Sequence, residues 1–153
     1  MVVTRTKALA LALLTLALVV IVDVLSLPTP SVLGYEGHYA SENVREFGLV
    51  RSLAPGTGIA ATFVGGVLQA WAGCHEIVGS YYVEDGRLRV RGELSTDIMR
   101  CPAEATWERQ SQEWAQTTWL MNFLASGPVI MADSNGLLLD SGPAEIRIVR
   151  DPR

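Results

Sequence analysis

Three glycine-bearing turns constrain this chain most. Gly65-Gly66, Asp85-Gly86 and Asn135-Gly136 each stand between two short apolar runs. Such dipeptides supply the positive-φ positions of the tight turns that join neighbouring antiparallel strands. A parallel pair needs a crossover of a dozen or more residues, and these links are too short for one. The segments they join are "GIAATFVGG" with "VLQAWAGC", "EIVGSYYV" with "RLRVRGEL", and "PVIMA" with "LLLDS". In the second hairpin Leu88 and Val90 alternate with Arg87, Arg89 and Arg91, which predicts one buried and one wet face. "AEIRIVR" near the end alternates too, and the apolar pair Ile148-Val149 predicts a bulge or the strand's end there.

One helix is expected among these strands. Pro102 suits a first helical position, because its missing N–H would have no partner there anyway, and Glu104 would then face the positive end of the dipole. In "CPAEATWERQSQEWAQTTW", Trp107 and Trp114 lie seven residues apart on one face. Glu108, Arg109, Gln112 and Glu113 fall largely on the others. The pattern predicts an amphipathic helix starting near Cys101-Pro102 with a tryptophan stripe packed on a sheet. The fold class is therefore α+β: about eight short, mostly antiparallel strands with one helix, over residues 37–150.

The front of the chain has another character. Arg5 and Lys7 precede a run from Ala8 to Val22 that is apolar except for Thr15; Asp23 breaks it, and Pro28 and Pro30 end any helix. This is the layout of a signal peptide or a signal-anchor transmembrane helix over residues 1–27, followed by a linker over 28–36. With the positive charges inside, the domain lies outside the cytoplasm, either membrane-anchored or secreted.

A net charge of −4 and a pI near 5.1 leave no basic surface for nucleic acid. The chemistry-bearing residues are few. "AGCHEIVGSY" sets a thiol, an imidazole and a carboxylate side by side at Cys74, His75 and Glu76. In a strand, Cys74 and Glu76 would share one face and His75 the other. The only other cysteine is Cys101 and the only other histidine His38. Two cysteines in an oxidising compartment most often pair, so a Cys74–Cys101 disulfide is expected. The competing reading is a thiol enzyme using Cys74 or Cys101; for Cys74 the base would be His38, with Glu76 or Asp97 as orienter. No close cysteine pair of the zinc-site kind exists, so neither a metal nor a cofactor is expected. There is no G-x-S-x-G, no H-E-x-x-H and no phosphate loop.

Two separated stretches carry a family likeness. The first runs from Phe63 and Gly66 to Ala72-Gly73-Cys74 and on to Gly79-Ser80-Tyr81; the second is "LSTDIMRCP", with Thr96, Met99, Cys101 and Pro102. In order and spacing they resemble the META domain of HslJ-like heat-shock proteins. The likeness covers about residues 37–149. His75 stands where the family usually has asparagine, and Thr96 lies one residue further from Met99 than the usual spacing. The resemblance implies a partly open barrel wrapped on a helix, an envelope or secreted setting, a link to stress responses, and no enzymatic activity. The expectation is thus a non-catalytic envelope stress or integrity factor that binds a protein partner. The alternative is a carrier of a hydrophobic ligand such as a lipid, with Trp71, Trp114, Trp119 and Phe123 as the candidate ligand pocket.

Overall fold

The computed structural model describes residues 34–98 and 106–152. The apolar segment over 1–27, most of the linker, and Met99, Cys101 and Pro102 lie outside the described residues. No described helix is long and apolar enough to cross a membrane.

The strands are β1 (Gly37–Glu46), β2 (Leu49–Val50), β3 (Ile59–Val64), β4 (Val67–Ala72), β5 (His75–Glu84), β6 (Arg87–Ile98), β7 (Val129–Ala132), β8 (Gly136–Asp140) and β9 (Ala144–Arg150). A helix α1 (Trp107–Ala125) sits between β6 and β7. The sheet order is β2-β1-β3-β4-β5-β6-β7-β8-β9, with antiparallel pairings. A further antiparallel pairing of β1 with β9 closes the sheet on itself as a ring.

Strand alternation fills that ring. Ile59, Ala61 and Phe63 of β3 point inward with Leu68, Ala70 and Ala72 of β4, Ile77, Tyr81 and Val83 of β5, and Ile146 and Ile148 of β9. The helix adds Leu120, Phe123 and Leu124 to the same cluster. Tyr39, Phe63 and Tyr81 form an edge-to-face chain with centroids 5.9 and 5.1 Å apart. Tyr35, placed by the sequence in the linker, already packs on this core.

Two of the three turns form as the sequence predicts: Gly65 and Gly66 take φ of 57° and 78°, Asp85 and Gly86 of 51° and 70°. The third is built differently. Asn135 does not adopt positive φ. Instead the Asp133 carboxylate accepts hydrogen bonds from the backbone N–H groups of Asn135 and Gly136, at 2.8 and 3.0 Å, an Asx-type turn. The expected irregularity at Ile148-Val149 is also misplaced. β9 runs unbroken to Arg150, and the extra residue sits in its partner, between Ser41 and Asn43 of β1.

The helix departs furthest from expectation. It starts at Trp107, not near Cys101-Pro102, because Thr106 is extended and its side chain caps the Arg109 N–H at 3.3 Å. Glu108 rather than Glu104 is the acidic residue of the first turn. The tryptophan stripe is not buried against the sheet: Trp107 is 81% exposed, and Trp114, which meets the His75 ring at the start of β5, is 52% exposed. The buried face is Glu113, Gln116, Thr117, Leu120, Phe123 and Leu124. Its first half is polar and meets backbone groups of a loop, at Ala54, and of the end of β4, at Ala72. Gln116 Oε1 accepts from the Ala54 N–H at 2.7 Å, and Thr117 donates to the Ala72 carbonyl at 3.2 Å.

Tyr81 carries a buried hydroxyl with no hydrogen-bond partner. Burial first, then the charges of Glu36 and Tyr39, push its pKa up to about 12 from an ordinary 10. The folded state therefore holds this proton more tightly than the unfolded chain. The contribution is complete below pH 10 and is lost as pH rises towards about 12. Tyr81→Phe is expected to flatten the fall of melting temperature across that range. At pH 7 it should be neutral or stabilising by up to ~1 kcal/mol, since an orphaned polar group is removed. Thermal unfolding of both proteins from pH 7 to 12 checks this; an unchanged slope in the variant would refute it.

Candidate functional site

Of the polar residues on the buried helix face, Gln116 faces Ala54 and Thr57, while Glu113 and Thr117 meet the end of β4 and the turn to β5. Gly73 holds φ of 79° there, and Cys74 and His75 follow. Backbone and helix are close: a Cβ on Gly73 would lie 3.1 Å from Glu113 Cγ. A glycine is thus needed twice over, for its left-handed backbone and for the space taken by Glu113.

Cys74, His75 and Glu113 form one cluster, with a ligand atom of each within 4.8 Å of the others. His75 is 5% exposed and Glu113 1%. Cys74 Sγ lies 3.9 Å from His75 Nδ1. Glu113 Oε1 accepts from Arg109 Nε at 2.9 Å, an i,i+4 ion pair, while Oε2 is buried without a hydrogen-bond partner. The Trp114 ring meets the His75 imidazole edge-on, centroids 5.3 Å apart, and limits its rotation.

Cys74 is disulfide-bonded and does not titrate. As a disulfide sulfur it carries no thiolate in this state. The expected opposition of His75 to Cys74 does not hold, because Cys74 lies in the turn and β5 begins only at His75. His38 is not the partner of Cys74 here; its Nδ1 lies 2.9 Å from Thr62 Oγ1 across β1 and β3.

The four residues of the expected ligand pocket go in three directions. Trp71 pairs with Ala60 and Glu76, on the face of β4 opposite to inward-pointing Ala70 and Ala72. Trp114 covers His75. Trp119 stacks on Phe123 at 5.6 Å, donates to Glu46 Oε1 at 3.0 Å and lies under the Arg51 guanidinium at 4.4 Å. None of the four lines the cleft of about 390 Å³ between β6 and the helix, which is formed by residues such as Leu94, Met121 and Asn122. Of the family-motif residues, Tyr81 is in the core, Gly79 sits at an irregularity in the β5–β6 register, and Thr96 pairs with Ile77.

Sequence reasoning missed Glu113, which it placed on an outer face. A signal was present: Glu113, Gln116, Thr117, Leu120, Phe123 and Leu124 recur at three- and four-residue spacing. A polar start to that series hid it. Also missed was the tip between β1 and β2, where Phe47, Leu49 and Val50 are 79%, 73% and 72% exposed.

No family model and no curated protein matches the chain. Two solved structures do. An NMR structure of one protein is 12% identical, with a TM-score of 0.54, over 80% of this chain and 96% of that one. An NMR structure of a protein from Burkholderia xenovorans is 19% identical, with a TM-score of 0.56, over 83% of this chain and 93% of that one. At these identities the likeness is one of fold, an α+β arrangement with a largely antiparallel sheet and one helix.

Proposed function

We propose that this chain is a non-catalytic META-domain protein held outside the cytoplasm, which serves envelope integrity by binding a protein partner. The observation that carries the reading is the β1–β2 tip. Phe47, in the turn, and Leu49 and Val50, the two residues of the edge strand β2, are all largely exposed. Burying such a cluster against a partner releases water from apolar surface, and a free strand edge offers unpaired backbone groups to the same partner. The disulfide at Cys74 supports an oxidising location. The side chains of Phe63, Leu68, Ile77 and Leu88 are all fully buried inside the ring, an interior that favours a packed core over a lipid cargo.

A photo-crosslinking residue in place of Phe47, in the full chain expressed in its native cells, tests this. The expected result is a discrete adduct with one protein, lost when Leu49 and Val50 are both changed to aspartate. Adducts with lipid alone would overturn the protein-partner reading and favour the carrier.

A further inference from the structure

We propose that reduction of the Cys74 disulfide turns the end of the β4–β5 hairpin into a site for a tetrahedral divalent ion of the zinc type, ligated by Cys74 Sγ, a His75 imidazole nitrogen and a Glu113 carboxylate oxygen. The inference goes beyond partner binding and does not rest on it.

The donor set is right for such an ion: a thiolate, an imidazole and a carboxylate, each a common zinc ligand. The spacing is right as well. The three ligand atoms lie within 4.8 Å of one another. Cys74 Sγ and His75 Nδ1 are 3.9 Å apart. With Zn–S and Zn–N bonds of about 2.3 and 2.1 Å, a gap of that size corresponds to an angle of about 125°, within reach of a tetrahedral site. A tetrahedral site sets its ligand atoms about 3.5 Å apart, so the Glu113 side chain closes in on the ion by up to about 1 Å, and water supplies the fourth ligand.

The second observation is the state of Glu113. A carboxylate 1% exposed is costly when half its hydrogen-bonding capacity is unmet, and Oε2 has no partner. A cation beside it would meet that need. Arg109 on Oε1, the Gly73 turn against Cγ and Trp114 against the His75 ring hold two of the three ligands in place from outside the site. The device is closed while the disulfide stands, because a disulfide sulfur carries no charge with which to bind the ion.

The steps balance. A dithiol reductant gives two electrons and two protons to the disulfide, becoming a cyclic disulfide and leaving two protein thiols. The divalent ion then displaces the proton of the Cys74 thiol, which leaves to solvent, and takes an imidazole nitrogen of His75 and a carboxylate oxygen of Glu113 as further ligands.

The test uses the full chain in detergent, reduced with a dithiol that is then removed without air, and Co²⁺ as the probe. Reduced protein is expected to bind one equivalent with a thiolate-to-cobalt charge-transfer band. Oxidised protein should show no such band. Glu113→Gln and His75→Gln, each made alone, are expected to weaken binding by more than about tenfold, as loss of a ligand should exceed the cost of losing an outer-shell partner. His75→Gln carries the test if Glu113→Gln does not fold. Absence of the band in reduced protein would overturn the proposal. So would a band whose affinity is unchanged in the folded variants.

Discussion

Gly136→Ala is expected to destabilise the domain by more than about 4 kcal/mol, the range reserved for a specific structural fault. Gly136 does not need positive φ. It needs room. A Cβ there would lie 2.8 Å from Val149 Cα, and would press still closer on the Ile148 carbonyl oxygen. Both obstacles are backbone of the paired strand β9, so no rotamer change relieves them. The ladder must open where Leu137 and Ile148, both 1% exposed, pair at the core. Gly65→Ala is the control. It has positive φ but nothing within 4 Å of a new Cβ, so its cost should stay near ~1 kcal/mol. Urea midpoints of the two variants decide the matter; similar midpoints would mean that β8 and β9 separate without penalty.

Loss of the Cys74 disulfide should cost about 3.5 kcal/mol, the chain-entropy value for closing a loop of about 28 residues to Cys101, the chain's only other cysteine. That is a large part of a net stability of ~5–15 kcal/mol. Alkylation without reductant should add no label, and after reduction two. Cys74→Ala should lower the urea midpoint as much as reduction does. A reduced protein within about 0.5 kcal/mol of the oxidised one would show that the bridge is no structural staple.

The strands were legible because short apolar runs met turn dipeptides with a strict backbone requirement. Gly65-Gly66 and Asp85-Gly86 leave few alternatives to a hairpin, and both formed. Asn135-Gly136 looks equivalent in sequence, yet Asp133 supplies its own acceptor, and the glycine serves β9 instead. Such a requirement comes from a strand twelve residues further on and leaves no local mark. The helix was legible as a helix but not in its facing. Hydrophobicity pointed to Trp107 and Trp114 as the buried stripe, whereas the inner face meets backbone at Ala54, in a loop, and at Ala72, at the end of β4, a task for Gln116 and Thr117. The candidate site was half visible. Cys74 and His75 are adjacent in the chain, but Glu113 joins them only through the packing of the helix on the turn.

Closure of the sheet by β1 and β9 has a consequence for the order of assembly. The first and last strands of the domain are neighbours, Arg150 lies over the Tyr39 ring, and the Asp151 N–H reaches the His38 carbonyl. A ribosome or an export channel delivers β1 first and β9 last. Until that final segment is free, β1 lacks one of its long partners, and Ile146 and Ile148 are missing from the core. Closure of this domain therefore waits for β9, and the closing contact has among the greatest sequence separations of the described residues. Such topology makes for slow assembly and for a long-lived open intermediate.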